Sequence, residues 1–401
     1  MASSPESDKF LPTQRSWVSA KSGSASDDDI ADSFVVVTYN ILADCHVGAE
    51  TYPYLPPGYR TIEERHPRLL KELKHHGEAD VICLQEVNGK YFKEVLEPAL
   101  SALGYKGFHA NKALGVDEGV ATFYKPSRFE LEGRKVVYFK DQIQEEISHM
   151  SLPIDQSEAI LERTLKETVT MFSDFRCKRT GRVLKLGNVH AFWMNHIAMD
   201  VITLQIALAA NMLAQFADDN KNSALILCGD FNTEPHMPAY QLLRDGRLSD
   251  QSVETLRKFD VVPKDSPNES FTLVDLMAAS FQHGIQHFQS AYKTIMGVEI
   301  PFSQFHDPQG IEWKEQHQLE DNVQPETDDV THGDDQSTRP RGKRIKALDY
   351  LWFSAETLQC DGALEMVARE VLDNLYACPN TVFPSDHLLM KAKFHLTDVV
   401  S

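Results

Sequence analysis

An α/β fold is predicted for this 401-residue chain by three features. Short apolar runs recur, among them Phe34–Val37, Val81–Leu84 and Ala224–Cys228, and such runs suit strands buried on both faces. Between the run ending at His190 and the one at Leu225, the residues Ile197, Val201, Leu204, Leu208 and Met212 recur at helical spacing. A strand, an amphipathic helix and another strand in succession mark α/β layering. Finally, one apolar run after another carries a polar residue at its end: Asn40, Glu86, His190, Asp230 with Asn232, Asp349, and Asp386 with His387. Each has an ordinary explanation as a turn former or solvated strand end, but strand ends on one rim of a sheet converge on one site.

Composition narrows the function classes. A hydrophobic share of 42% and a charged share of 25% are those of a soluble globular protein. No apolar run approaches the roughly 20 residues that span a bilayer, so no membrane partner is expected. The N-terminus lacks an apolar signal core, and Asp27, Asp28 and Asp29 argue against an Arg-rich presequence. The expected location is cytoplasmic, with mitochondrial and nuclear sites left open. None of the six cysteines forms a Cys-x-x-Cys pair, so all are expected to be reduced and structural. A net charge of −19 disfavours a broad basic face for long nucleic acid. It leaves room for a short or single-stranded substrate at a local site where a metal supplies positive charge.

Along the chain, residues 1–32 read as a disordered tail and the fold as one domain over 33–401. Phe34–Asn40 is a strand, and Asn40 is either a turn former or an active-site amide. Thr61 with Glu64 has capping-box spacing, and a helix bearing Leu69, Leu70 and Leu73 is expected to start near Pro67. Ala79–Val87 is a second buried strand, followed by a helix over Tyr91–Leu103 closed by Gly104. Residues 118–124 and 129–131 read as a hairpin, and 140–167 as a helical lid or insertion. Strands follow at 168–173 and 183–190. The segment Ala224–Pro235 is the centre of the pattern: Gly229 lets the backbone approach something closely, and Asp230 and Asn232 share one side of an extended chain. A carboxylate and a neutral amide there suit a phosphate with a hard cation beside it. An acidic tract followed by Arg339, Arg341, Lys343, Arg344 and Lys346 makes 306–346 a flexible insertion. Strands at 347–353 and 392–394 complete the chain.

Other chemistries lack their signatures. There is no Gly-x-Gly-x-x-Gly, Walker loop, His-Glu-x-x-His or Cys/His zinc spacing. Ser385-Asp386-His387 is no serine triad, because contiguous residues of one strand cannot stack into a relay. Carboxylates that hold a divalent cation, histidines and asparagines at strand ends suit phosphoester chemistry better.

Six short motifs occur in order: Thr-Tyr-Asn-Ile-Leu-Ala-Asp at Thr38, Leu-Gln-Glu-Val at Leu84, Asn-Val-His at Asn188, Gly-Asp-Phe-Asn at Gly229, Leu-Asp-Tyr at Leu348 and Ser-Asp-His at Ser385. With these motifs the chain resembles the endonuclease/exonuclease/phosphatase superfamily, from about Val35 to His395. It is most similar to the subgroup of carbon catabolite repressor deadenylases, nocturnin, the angel proteins and 2′,5′-phosphodiesterase. The resemblance implies a DNase I-like four-layered α/β sandwich and a Mg²⁺ cofactor, with Mn²⁺ as substitute. It implies Glu86 as main metal ligand, Asn40 beside it and Asp386 completing the metal side. Asp230 would position or deprotonate water, Asn232 would orient water and phosphate, and His190 and His387 would flank the phosphate. Asp349 would orient His387.

Three departures shape the expected substrate. The first histidine follows Asn188-Val189 where the family usually has Thr and then the His. Met194-Asn195-His196 and Arg344-Ile345-Lys346 stand where the poly(A) deadenylases have the Pro and Phe that sandwich adenine. Phe192 and Trp193 are then either a replacement base platform or core residues at a helix start. No leucine-rich repeats appear, so docking to a deadenylase complex is not expected. The expected protein is a monomeric 3′-to-5′ exoribonuclease acting on single-stranded RNA or a short oligonucleotide, with substrate contacts from Asn40, His190, Asn232 and Trp193. Alternatives on the same scaffold are a 2′,5′-oligoadenylate phosphodiesterase, a nocturnin-like dinucleotide phosphatase and an angel-like 2′,3′-cyclic phosphatase. An inactive RNA- or protein-binding member is the alternative of another class.

Overall fold

The computed structural model describes residues 14–20, 33–49, 51–217, 223–263, 270–306, 344–374 and 377–397. Its strands are β1 (Trp17–Ser19), β2 (Ser33–Asn40), β3 (Val81–Val87), β4 (Lys106–Asn111), β5 (Gly119–Tyr124), β6 (Phe129–Tyr138), β7 (Val169–Cys177), β8 (Val183–His190) and β9 (Ala224–Asp230). They continue as β10 (Asp260–Val261), β11 (Phe271–Thr272), β12 (Phe288–Ser290), β13 (Gln304–His306), β14 (Arg344–Lys346), β15 (Asp349–Ser354), β16 (Leu358–Leu364) and β17 (Met390–Leu396). One sheet has seven strands in the order β1-β16-β17-β2-β3-β5-β4, and the other has six in the order β12-β15-β9-β8-β7-β6. Each sheet contains one parallel pair, β2/β3 and β8/β9. A parallel pair needs a crossover, supplied by the helices Ile62–His75 and Met199–Ala217.

The two sheets pack face to face, and the side-chain period of 2 assigns the layers. In β2, Phe34 and Val36 join the central core with Val81 and Cys83 of β3. Val37, Tyr39, Ile82 and Leu84 point the other way, onto Leu69, Leu73, Leu96 and Leu100 of the outer helices. The helix Met199–Ala217 covers the second sheet, which completes the helix–sheet–sheet–helix sandwich. This helix is long and apolar enough to cross a membrane, but 72% of the qualifying window is buried, as befits a core helix. Between the sheets the contacts turn polar toward one end. Gln85 Nε2 donates to Asn188 Oδ1 at 2.8 Å, and Asn188 Nδ2 donates to Ala121 O at 3.0 Å. Asn188, which departs from the family pattern, is thus a tie between the sheets.

Five expectations are corrected. The fold does not begin at Ser33: β1 pairs with β16, and its Trp17 ring lies where a Cβ on Gly362 would stand. Arg15 secures this segment by donating to Glu365 O at 2.6 Å, while 1–13 and 21–32 lie outside the described residues. The first helix starts at Ile62, five residues before Pro67, and Thr61 Oγ1 accepts from Glu64 N. It holds there because buried Arg65 donates to Ile41 O, Leu42 O, Pro384 O and Asp44 Oδ1. Residues 118–124 and 129–131 are no hairpin. Both edges of β5 are taken by β3 and β4, so β6 crosses to the other sheet and pairs with β7. Residues 140–167 form no separate lid. Their helices, Phe139–Ser148 and Ile154–Thr164, bury Phe139, Ile143, Ile147 and Ile160 in the main core. The ends of the 306–346 stretch are structured, because β13 and β14 pair His306 with Arg344, and 307–343 lie outside the described residues.

Candidate active site

Alternation places Thr38 and Asn40 of β2, Cys83 and Gln85 of β3, Asn188 and His190 of β8 and Cys228 and Asp230 of β9 in the layer between the sheets. At its polar end lies a cleft of about 490 Å³, lined by Glu86, His190, Asp230, Asn232, Asp386 and His387 among others. Asn40 and Asp349 stand directly behind these side chains. All eight strand-end residues singled out from the sequence therefore meet at one place.

Asn40 is the clasp. Its Nδ2 donates to Glu86 Oε1 at 2.9 Å and to Asp230 Oδ2 at 3.0 Å, joining carboxylates from different sheets. Its Oδ1 accepts from Leu42 N at 3.0 Å. Glu86 sits on a bulge between Gln85 and Val87 with φ 56°, which turns its side chain out of the ladder toward the cleft. Asn232, with φ 48°, and Leu42, with φ 60°, share the left-handed conformation, so strained non-glycine backbone surrounds the centre. Gly229 is inside β9 rather than at its end. Its φ is 135°, and a Cβ there would stand 2.0 Å from Val189 O, so only glycine lets β9 approach β8 this closely.

Two imidazoles flank Asp230: His190 Nε2 and His387 Nε2 each lie 3.8 Å from its Oδ2. Burial, with the nearby Asp349 charge, raises the Asp230 carboxyl to about 7, against the opposing pull of His387 and the bonds from Asn40 and Asn232. Burial and the Lys112 ammonium push His190 well below its ordinary value. Burial pulls His387 down too, but Asp349, Asp230 and Asp386 outweigh it and hold the imidazolium well above the usual range. Gln304 Nε2 lies 3.2 Å from His387 Nε2, a contact that favours the neutral ring. Three carboxylates outweigh one amide, so His387 stays cationic. Asp349 lies behind His387: its Oδ2 is 2.7 Å from Nδ1 and also accepts from Ser303 Oγ at 2.6 Å.

Asp386 is not tied to Glu86. Its Oδ2 accepts from Tyr52 Oη at 3.0 Å and Gln304 Nε2 at 2.9 Å, and its Oδ1 is buried without a hydrogen-bond partner among the described residues. Asn232 Nδ2 donates to Ala191 O at 3.0 Å, so this donor already has a backbone partner. Ser385 Oγ donates to Asn40 O at 2.7 Å and accepts from His387 N at 3.1 Å; it fastens the loop to β2 and is no nucleophile. The hard oxygens of Glu86 and Asp386 on the cleft fit a divalent cation, and ligand atoms of Asp230, Asp349 and His387 lie within 4.8 Å of one another.

The core reading of Trp193 is overturned. The long helix starts only at Met199, and Trp193 is 43% exposed on the cleft, with the Arg344 guanidinium 5.9 Å from its ring centre. The sequence reading also missed the cleft's cationic wall: Lys112, Lys166, Arg344 and Lys346, with His46 held protonated. Hydrogen bonds with Cys45 and Glu118 raise His46 to about 11 against burial. Lys112 and Lys166 sit in loops, His46 in a short turn and Arg344 and Lys346 in β14, and only the last two, in a basic cluster, carried a local signal.

The profile of the Endonuclease/Exonuclease/phosphatase family matches residues 37–387. The CCR4-Not complex 3'-5'-exoribonuclease subunit Ccr4 of Debaryomyces hansenii is 25% identical over 390 residues, which are 92% of this chain and 40% of that protein. Carbon catabolite repressor protein 4 homolog 1 of Arabidopsis thaliana is 26% identical over 378 residues, 90% of this chain and 57% of that protein. The chain thus spans between 40% and 57% of the length of these two curated relatives. Among solved structures, ANGEL2, a 2',3'-cyclic phosphatase, is similar with TM-score 0.67 and 21% identity, covering 95% of this chain and 97% of that one. The human Nocturnin catalytic domain is similar with TM-score 0.55 and 20% identity, covering 97% of this chain and 99% of that one. At such identities these two likenesses are of fold.

Proposed function

This chain belongs to the endonuclease/exonuclease/phosphatase family, and on that premise we propose that it is a metal-dependent phosphodiesterase that shortens single-stranded RNA from the 3′ end. One observation carries the reading: a buried carboxylate, Asp230, is joined to Glu86 through Asn40 and flanked by a neutral and a cationic imidazole. That set has a proton acceptor, a charge stabiliser and a metal ligand within one cleft. The Ccr4 relative of Debaryomyces hansenii, a 3'-5'-exoribonuclease subunit aligned over 92% of this chain, supports RNA as the substrate. The cationic wall supports a polyphosphate ligand despite the acidic net charge.

Asp230, raised to about 7, takes a proton from the attacking water near neutral pH. His387, held positive by the carboxylates around it, stabilises negative charge on the phosphoryl oxygens, and Asp349 with Ser303 fixes its ring. His190, neutral, offers a hydrogen bond without charge. Asn40 keeps Glu86 and Asp230 in register. Glu86 and Asp386 would hold the cation, Mg²⁺ or Mn²⁺ as substitute. Such an ion supplies Lewis-acid stabilisation of the phosphoryl charge. Trp193 beside Arg344 offers one stacking face to a base, in place of a two-sided adenine sandwich.

The test is a substrate panel with Mg²⁺: poly(A), mixed RNA, 2′,5′-oligoadenylate, cyclic-phosphate-ended RNA, NADPH and abasic DNA. Stepwise 3′ shortening of mixed RNA, lost in EDTA, is expected. Turnover of cyclic-phosphate ends or 2′,5′ linkages alone would replace the exoribonuclease reading and leave the phosphodiesterase reading intact.

A further inference from the structure

We propose that Cys45, His46 and Glu118 form a binding site for a borderline-soft divalent cation of the Zn²⁺ class on the wall of the catalytic cleft, beside the oxygen-donor centre at Glu86. The three residues come from two segments. Cys45 and His46 lie in the short turn Asp44–His46, and Glu118 immediately precedes β5. One ligand atom from each, a thiol sulfur, an imidazole nitrogen and a carboxylate oxygen, lies within 4.8 Å of the others. A tetrahedral zinc shell, with bonds of about 2.3 Å to sulfur and about 2.0 Å to nitrogen, spaces its ligands roughly 3.3–3.7 Å apart. The observed limit is wider than that spacing, so the side chains would have to close in on the ion; Cys45 is exposed and the His46 side chain is 38% exposed.

Glu118 gives the second, independent indication. Its side chain is 5% exposed, and its two oxygens are unequally used. Oε1 is 2.9 Å from His46 Nε2 and also accepts from Lys112 Nζ at 2.8 Å, while Oε2 is buried with no hydrogen-bond partner among the described residues. A buried carboxylate oxygen without a donor is costly unless a ligand completes it. Lys112 can stay on Oε1 while a cation takes Oε2. With a Cys45 thiolate, neutral His46, Glu118 and Lys112, the protein part carries one net negative charge, which favours a dication. Binding releases the thiol proton and the second imidazole proton to solvent, and no electrons move. The donor set separates this site from the catalytic one. Sulfur and nitrogen favour zinc, whereas the all-oxygen pair Glu86 and Asp386 favours magnesium.

Cys45 supplies its own reporter, because it is exposed and the other five cysteines are buried. The full chain, saturated with Mg²⁺ to occupy the oxygen-donor centre, is dialysed against Zn²⁺, and Cys45 alkylation by iodoacetamide is timed with and without zinc. Zn²⁺ is expected to slow alkylation strongly and Mg²⁺ alone to leave it unchanged. Cys45→Ser, at an exposed position that the fold tolerates, should lose the zinc retained by the parent chain. Glu118→Gln should weaken it by about tenfold or more. Alkylation that is unaffected by saturating Zn²⁺ overturns the proposal, as does zinc retention that survives in Cys45→Ser. Zinc retained without thiol protection assigns the ion to another site and also overturns it.

Discussion

On one side of Asp230, His190 projects from the end of β8, and its Nδ1 is buried without a hydrogen-bond partner among the described residues. On the other side, His387 arrives on the loop before β17 of the opposite sheet, with Asp349 2.7 Å behind its Nδ1 and Ser303 behind Asp349. Both Nε2 atoms are 3.8 Å from the same carboxylate oxygen, and both side chains are almost wholly buried. Burial lowers the pKa of each. At His190 the Glu118 charge opposes it without overcoming it, and Lys112 adds to it; at His387 three carboxylates reverse it. The difference teaches that the charge of a site histidine is set by the groups around it, more than by its distance to the reacting centre.

The harshest way to break the comparison is to remove its pivot. Asp230→Asn should lower kcat by about 10³-fold, within the range for losing a general base, and leave the fold intact. Glu86→Ala, which removes the carboxylate from the bulge in β3, should be as severe. A folded Glu86→Ala protein with parental kcat, by circular dichroism and assay together, would refute the metal assignment.

A gentler change sharpens it. Asp349→Asn removes the charge behind His387 and should cost about 10–100-fold in kcat, with Ser303→Ala costing less. The readout that separates this from simple damage is the His387 proton, followed by NMR: its pKa should fall toward that of His190. An unchanged His387 titration would show that Asp230 and Asp386 suffice.

Trp193→Ala touches neither histidine. It should lower catalytic efficiency on base-bearing RNA by about tenfold, in line with one stacking contact, and leave an abasic oligonucleotide unaffected. Poly(A) should not exceed mixed RNA of equal length by more than about tenfold at one salt concentration, since phosphate contacts carry no base information. A far larger preference would reveal an adenine pocket.

The smallest effect comes from His76, a control far from the chemistry. Burial, aided by Lys391, lowers it to about 3, the same direction as His190. The unfolded chain takes up this proton near pH 6.5, and the folded one only near 3. The unfolded state therefore binds more protons in between, and stability falls as pH drops below about 6.5. The Tm should decline from pH 7 to 5, less steeply in His76→Gln. Parallel declines would show that other groups dominate.

Much of the site was legible because strand alternation is a local property. Once Phe34–Asn40 and Ala224–Asp230 were read as strands, Asn40 and Asp230 had to lie at their ends. The misreadings were non-local. Residues 129–131 follow 124 closely, yet their sheet was decided by β3 and β4 already occupying both edges of β5. Trp17–Ser19 looked like tail because three residues carry no periodic signal, and only the open edge of β16 makes them a strand.

By itself the sequence determined the α/β class, the strand ends that carry Asn40, Glu86, His190, Asp230 and Asp349, and the family, because these depend on local period and residue type. Tertiary structure decided which of those groups touch and what charge they bear. Glu86 meets Asp230 only because two sheets face each other across Asn40. Cys45 and His46 meet Glu118, over seventy residues away, only because the turn after β2 lies beside the start of β5. Proximity and burial are properties of the packed chain, and they set both the proton on His387 and its absence from His190.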